Sequence, residues 1–158
     1  MRPIHSLDAA FQCALRYLAP RARSSAEVKN HLVQWGGAHA VIDATLEKLR
    51  ALHYIDDKAF ARDWALLRAQ SRGCGPEKIA RELETKGIDP SVIRAAVREA
   101  FEQEDELERA KEILGKRFRG ENLQEPRALR RAAAFLQRRG YSDKVISALL
   151  HDPTGDNC

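Results

Sequence analysis

The chain has 158 residues, which is long enough for one domain or for several small modules that share contacts. Apolar residues make up 44% of it but aromatic residues only 6%, so a core must be mainly aliphatic, as in packed helices. No apolar run approaches the roughly 20 residues that a membrane span needs, and the net charge of +4 is only mildly basic.

The N-terminal stretch and the cysteines predict a cytoplasmic protein. Met1–Asp8 contains no long apolar segment of the kind that directs secretion. The three cysteines, Cys13, Cys74 and Cys158, are odd in number and far apart in sequence. This disfavours a disulfide framework or a CxxC metal site and fits a reducing compartment.

The first predicted elements are three helices. Asp8–Ala19 carries apolar residues at helical spacing: Phe11, Leu15 and Leu18. Ser24 and Glu27 have the spacing of a capping box, which predicts a second helix start. Gly36 is placed to end that helix with a left-handed residue, and a third apolar segment follows.

The same order of elements follows twice more. Asp57–Arg72 and Asp105–Phe118 are predicted helices, and each precedes a pair of helices joined at Gly87 or Gly140. The prolines of Gly75-Pro76 and Asp89-Pro90 stand where first helical residues are expected. Ser142 or Asp143 can cap the last helix.

The three glycines serve as anchors of an internal repeat, because they are 51 and 53 residues apart. Apolar residues stand in register at the eighth and fourth positions before each glycine and at the fifth and sixth after it. These sets are Val28, Ile79 and Ala132; Leu32, Leu83 and Leu136; Val41, Val92 and Val145; and Ile42, Ile93 and Ile146. Such a pattern predicts two amphipathic helices joined by a tight turn in each copy.

The predicted fold class is therefore all-α, with three tandem three-helix repeats at residues 8–55, 56–103 and 104–151. Each helix has one modest apolar face, so neighbouring repeats are expected to pack end to end in an elongated, curved arrangement. That shape favours binding along an extended surface over catalysis.

No coherent catalytic, cofactor-binding or metal-ligating set is evident in the sequence. The five histidines are scattered, and Asp56-Asp57 is better interpreted as a helix start than as an acid pair. Cys74, between two glycines, is expected to be exposed but has no histidine near it in sequence. Trp35 and Trp64 fall on apolar stripes and are expected in the core.

Positive charge is concentrated late in the chain. Glu99–Glu108 contains six acids and no base, whereas Arg109–Lys144 contains eleven bases and four acids. A basic surface could meet an acidic protein groove or a phosphate backbone. The predicted partner-binding residues are Arg68, Arg72, Lys78, Arg81, Arg127, Arg130 and Arg131.

Several segments of the chain resemble the RecX family of RecA regulators, over residues from about 8 to 151. The most specific block is YIDDKAFAR from Tyr54, then GCGP from Gly73 and IARELETKGI from Ile79. ALRYL from Ala14, with RSS before it from Arg23, and FLQRRGY from Phe135 also agree. The loop Gly120–Glu125 lengthens the third repeat, and the tail Asp152–Cys158 has no clear counterpart.

The resemblance implies an all-helical protein of three tandem three-helix repeats. It also implies a protein that binds the RecA–DNA nucleoprotein filament in its groove and touches more than one protomer. Separately from the resemblance, we expect the chain to be a monomer. Family members thereby restrain filament growth and inhibit ATP hydrolysis, strand exchange and the co-protease activity that starts the SOS response. They act on DNA repair and homologous recombination, and no catalytic site carries over from them.

The alternative function is direct binding to single- or double-stranded DNA. The turns at Gly87 and Gly140 loosely resemble helix-turn-helix corners, and the arginines could contact phosphates. The modest net charge predicts only weak, nonspecific affinity for DNA.

Overall fold

A computed structural model describes residues 4–102 and 105–150 of the chain. The described residues form nine helices and no strand. These are α1 (Leu7–Leu18), α2 (Ser25–Gln34), α3 (His39–Ala51), α4 (Asp57–Arg72), α5 (Pro76–Thr85), α6 (Pro90–Phe101), α7 (Glu106–Arg117), α8 (Pro126–Arg139) and α9 (Asp143–Leu150). The predicted all-helical class is confirmed. His151, Cys158 and the tail Asp152–Cys158 lie outside the described residues.

The helices begin where local capping chemistry places them. The Ser24 hydroxyl accepts the Glu27 N–H at 3.2 Å, and the Glu27 carboxylate accepts the Ser24 N–H at 2.9 Å. This is the predicted capping box. Pro76 and Pro90 are the first residues of α5 and α6, and Asp56 accepts the Ala59 N–H at 3.1 Å at the start of α4.

The three anchor glycines share one turn geometry. Gly36, Gly87 and Gly140 have φ angles of +74°, +72° and +86°, in the region that favours glycine. In each turn the next N–H donates to the carbonyl of the buried leucine four residues before the glycine. The pairs are Gly37 to Leu32 at 3.0 Å, Ile88 to Leu83 at 3.2 Å and Tyr141 to Leu136 at 3.1 Å. The repeated leucine therefore supplies both a core side chain and a turn acceptor.

Two compact units are defined by the contacts between residues. The first contains the described residues up to Ala61 together with Leu83–Ile93. Its core lies among α1, α2 and α3 and includes Ala10, Ala14, Val28, Leu32, Ile42 and Leu49. The Ser24 hydroxyl also donates to the Lys86 carbonyl at 2.6 Å, which ties the start of α2 to the end of α5.

The second unit contains Arg62–Glu82 and the described residues from Arg94 onward. Its core lies among α7, α8 and α9 and includes Ala110, Leu114, Ala132, Leu136, Tyr141 and Ile146. Tyr141 is 1% exposed, and its hydroxyl donates to the Gly73 carbonyl at 3.1 Å. No helix in the described part of the chain is long and apolar enough to cross a membrane.

Two expectations about individual side chains, Cys74 and Trp35, were wrong. Cys74 is 1% exposed, because its N–H turns back to the Arg68 carbonyl at 3.0 Å and draws the loop inward. Trp35 is 40% exposed because it follows the last residue of α2, beyond the buried face of that helix. On α4 the buried face includes Ala61, Ala65 and Ala69, and Leu67 is 57% exposed.

Candidate partner-binding surface

The seven basic residues predicted to bind a partner all lie in the second unit. Arg68 and Arg72 are on α4, Lys78 and Arg81 on α5, and Arg127, Arg130 and Arg131 on α8. Their surroundings separate them into residues that hold the unit together and residues that face solvent.

Arg68 belongs to a local ion pair. Its Nε donates to Glu82 Oε2 at 2.7 Å, and a second guanidinium nitrogen contacts Glu82 Oε1. Trp64 Nε1 donates to the same carboxylate at 3.0 Å, and the Arg68 guanidinium lies 5.6 Å from the Trp64 ring centroid. Trp64 is therefore half-buried at a polar contact. The prediction that it lies in the core was wrong. The geometry gives Arg68 a packing role between α4 and α5.

The ion pair between Arg68 and Glu82 shifts the pKa values of both groups. Burial alone would raise the pKa of Glu82, but hydrogen bonds from Arg68 and Trp64 and the charges of Arg68 and Lys78 bring it below its ordinary value. The hydrogen bond to Glu82 raises the pKa of Arg68. Both groups stay ionised at neutral pH, so the pair is intact there.

Lys78 contacts the turn after α8, and Arg72 contacts the last residue of that helix. The backbone and Cβ of Lys78 pack against Gly140, and Lys78 is half-buried. Arg72 is exposed, and its carbonyl accepts a hydrogen bond from the Arg139 guanidinium. Arg81 is exposed on α5. Arg72 thus lies beside α8, although the two are far apart in sequence. Its side chain is in solvent.

A basic cavity of about 410 Å³ opens where the end of α4 meets α7 and α8. Among the described residues that line it, Glu112 is the single acid, and it pairs with Lys116 at 2.6 Å. The lining cations are Arg72, Arg109, Lys116, Arg117 and Arg139. Guanidinium groups gathered in this way suit phosphate or carboxylate oxygens.

Two smaller cavities continue this surface along α8. One of about 200 Å³ shares Arg117 and Phe135 with the first and adds Arg131 and Arg138. The next, of about 280 Å³, shares Arg131 and adds Arg127. We name the joined surface the basic track. It consists of Arg72, Arg109, Lys116, Arg117, Arg127, Arg131, Arg138 and Arg139.

Phenylalanine rings support several guanidinium groups of the basic track. Arg139 lies 5.2 Å from the Phe135 ring centroid, and Arg117 and Arg131 lie 5.5 and 5.7 Å from that of Phe118. The two rings meet edge to face with centroids 5.8 Å apart. Cation–π contacts of this kind restrict the guanidinium groups while leaving N–H donors available to a partner.

The structure therefore brings together only part of the predicted set. Arg72, Arg127 and Arg131 line the basic track, although Arg131 also pairs with Glu121. Arg130 is exposed on α8 but does not line these cavities.

Sequence reasoning did not select Arg109, Lys116, Arg117, Arg138 or Arg139. A signal for the first three was present, because residues 109, 116 and 117 recur at helical spacing on one face of α7.

Comparisons with known proteins place this architecture in a family. Three consecutive family models match, described as the first, second and third three-helix domains of RecX. They match residues 10–49, 56–97 and 104–150. The matches cover most of the chain and follow the order of the helices.

Curated relatives of the same description are similar in sequence. A regulatory protein RecX from Geobacillus thermodenitrificans is 36% identical over 147 residues, covering 92% of this chain and 54% of the relative. One from Mycobacterium ulcerans is 37% identical over 138 residues, covering 86% of this chain and 79% of the relative. The chain thus spans about half the length of the Geobacillus relative and most of the mycobacterial one.

A crystal structure of RecX from Lactobacillus salivarius has the same fold. It superposes with a TM-score of 0.78 at 21% identity, over 92% of this chain and 95% of that one. Three consecutive RecX domains, together with relatives above 30% identity over most of their length, lead to one conclusion: this chain belongs to the RecX family.

Proposed function

We propose that this chain regulates a RecA-type recombinase. It binds the RecA–DNA nucleoprotein filament in its groove and inhibits filament growth, ATP hydrolysis, strand exchange and co-protease activity. It thereby modulates DNA repair, recombination and the SOS response. Membership of a family whose curated relatives are named regulatory proteins supports this role.

The basic track is the observation that carries the proposal. It joins three cavities along α7 and α8 and sets eight cations against the three acids Glu112, Glu121 and Glu125 among its described lining residues. A nucleoprotein filament presents phosphates in a regular row, and a row of arginines can engage many of them at once. Because all the contacts belong to one molecule, weak individual contacts add through their effective concentration.

The test measures RecA ATP hydrolysis on single-stranded DNA with this protein at less than one copy per RecA. We expect the wild-type chain to inhibit. The double variant Arg117→Glu/Arg138→Glu reverses two exposed charges of the basic track. We expect it to need about tenfold more protein for the same inhibition, which corresponds to ~1.4 kcal/mol of binding.

A matched control is Arg50→Glu/Arg94→Glu, which makes the same charge change at exposed positions outside the basic track. This control should inhibit like the wild type. A wild-type chain that does not inhibit at any dose overturns the regulatory function. Equal loss in both double variants would assign the effect to net charge and not to the basic track.

A second candidate function is direct binding to DNA, which the same arginines could serve. Binding to naked single- and double-stranded DNA across a salt series separates the two functions. Tight affinity with a steep decrease as salt rises would favour direct DNA binding. We expect weak binding, because the net charge of the chain is only +4.

A further inference from the structure

An open groove of about 900 Å³ lies on the first unit, apart from the residues of the basic track. One face of α1 forms its floor through Ala9, Cys13, Arg16 and Tyr17, and His31 and Trp35 from the end of α2 form its wall. The proposed function described above makes no use of this surface.

The groove exists because α1 has two faces. Its residues Ala10, Phe11 and Ala14 are buried in the core of the unit. Residues 9, 13, 16 and 17 recur at the spacing of a second helical face, which runs about 12 Å along the axis at 1.5 Å per residue. Within the described part of the unit, the end of α2 and the segment from Ile4 to Ser6 border this second face.

Ring stacking and further contacts fix the wall of the groove against its floor. The Tyr17 and His31 rings stack with centroids 3.9 Å apart and planes 4° from parallel. The Arg23 guanidinium lies 4.1 Å from the Tyr17 centroid, and since His31 covers one face of that ring, Arg23 covers the other. His31 Nε2 also lies 3.6 Å from Cys13 Sγ. A wall that is already ordered loses little conformational entropy when a ligand binds.

Trp35 offers the open apolar surface. Its side chain is 40% exposed and lies beside His31 with ring centroids 6.0 Å apart. Its carbonyl accepts the Ile4 N–H at 3.3 Å, which fixes the indole's attachment point to the chain. Exposed tryptophan at the edge of a preformed groove is typical of interaction sites.

The charge of the groove favours an acidic partner. None of the described residues that line it is acidic, and Arg16 provides a permanent positive charge. Burial lowers the pKa of His31, and the charge of Arg23 lowers it further, so the imidazole is neutral near pH 7. An apolar side chain with a carboxylate beside it would satisfy both the Trp35 surface and Arg16.

We propose that the groove binds an apolar side chain that the recombinase presents on a helix, with a neighbouring carboxylate that pairs with Arg16. This proposal rests on the proposed function and adds an apolar contact at Trp35 and a single ion pair at Arg16 to the many charge contacts of the basic track. A groove between two helices suits a third amphipathic helix, whose anchors repeat at the spacing of the α1 face.

A nucleobase fits the groove less well than a protein side chain. The floor residues Ala9 and Cys13, and Ile4 beside them, have aliphatic or thiol side chains, which offer no ring for stacking. Tyr17 is covered on both faces by Arg23 and His31. Base recognition by stacking needs open aromatic faces in succession, and among the described lining residues only Trp35 is an exposed ring of tryptophan or tyrosine.

The test titrates full-length variants onto RecA–single-stranded DNA filaments over a salt series. Trp35→Ala should weaken binding by about tenfold, as for a buried aromatic anchor, with an unchanged dependence on salt. Gln12 is exposed on α1 at the groove, so Gln12→Glu and Gln12→Lys introduce opposite charges there at similar helix propensity. Gln12→Glu should weaken binding several-fold, and Gln12→Lys should not.

Leu67→Ala is the matched control, because it removes an exposed apolar side chain of α4 outside the groove. It should bind like the wild type, and unfolding curves should show that all variants are folded. The Arg117→Glu/Arg138→Glu variant should instead reduce the salt dependence itself.

The outcomes are separable. A wild-type chain that does not bind the filament overturns the proposed function and this inference with it. Wild-type binding that is unchanged by Trp35→Ala and Gln12→Glu overturns the inference alone. Equal losses of filament binding with Gln12→Glu and Gln12→Lys would exclude the carboxylate. If Trp35→Ala weakens oligothymidine binding by the same factor as filament binding, the occupant is a base. Loss of self-association in Trp35→Ala would identify a second copy of the chain.

Discussion

Gly75 packs against the backbone of Gly140 within the second unit. The Gly75 N–H donates to the Arg139 carbonyl at 2.6 Å, and a Cβ atom at position 75 would lie 2.5 Å from the carbonyl carbon and oxygen of Gly140. The turn before α5 and the turn after α8, 65 residues apart in sequence (140 − 75), thus meet backbone to backbone. Two of the positions that the sequence marked as turns also form a tertiary contact.

Gly75→Ala should strongly destabilise the protein. The atoms that the new methyl would meet are backbone atoms of Gly140 and Tyr141, so no side chain can move aside to relieve the contact. We expect a loss of about 2–3 kcal/mol in the free energy of unfolding, measured by urea denaturation. An unchanged denaturation midpoint would contradict the packing described here.

Gly115→Ala should have the opposite effect. Gly115 lies within α7, and a Cβ there would meet nothing within 4 Å. Alanine is more favourable than glycine in a helix interior by about 1 kcal/mol. The same denaturation experiment should therefore show an increase of up to that amount, and a decrease would show that α7 is not an ordinary helix at this position.

Glu82→Gln should lower stability at neutral pH, because it removes the charge that Arg68 and Trp64 bind. We expect a loss of about 1–2 kcal/mol, as for a partly buried group that loses its charged partner. Glu84→Gln is the control, since Glu84 is exposed on the same helix. It should change stability little.

The pH dependence of the Glu82→Gln effect follows from the direction in which folding shifts the pKa of Glu82. The pKa of Glu82 in the folded state is below the ordinary 4.5, so the carboxylate stabilises the fold above that pH. As the pH falls through 4.5 towards the lowered pKa, this stabilisation is lost. The difference between wild type and Glu82→Gln should therefore shrink below about pH 4.5, and a difference that grows on acidification would contradict this sign.

Tyr141→Phe should cost about 1 kcal/mol, because it removes the hydrogen bond to the Gly73 carbonyl without leaving a large cavity. Burial raises the pKa of Tyr141 to about 12. The contribution of the neutral phenol to the free energy of unfolding is therefore fully present below pH 10. It is lost as the pH rises towards 12.

Ultraviolet absorbance of ionised tyrosine provides the measurement. The difference between wild-type and Tyr141→Phe titrations should have its midpoint near 12. Tyr54→Phe, at a ring that is 52% exposed, should alter stability little and serves as the control. A Tyr141 midpoint near 10 would show that the phenol is accessible to solvent.

The helices and turns could be predicted from the sequence because short-range interactions determine them. The Ser24–Glu27 capping box, the proline starts at Pro76 and Pro90 and the left-handed glycines each depend on residues within a few positions. The leucine four residues before each glycine has a local role as well, since its carbonyl accepts the turn N–H. The family resemblance rested on short sequence blocks, such as YIDDKAFAR from Tyr54 and GCGP from Gly73.

The surroundings of individual side chains depended on residues distant in sequence, so only the tertiary structure decided them. Cys74 is buried and Trp35 exposed, whereas the sequence indicated the reverse. Arg72 joins arginines of α7 and α8 in the basic track because the turns around Gly75 and Gly140 bring these elements together. Helical periodicity shows that a helix has an apolar face, but packing determines which neighbour covers that face and which side chains at its edge stay in solvent.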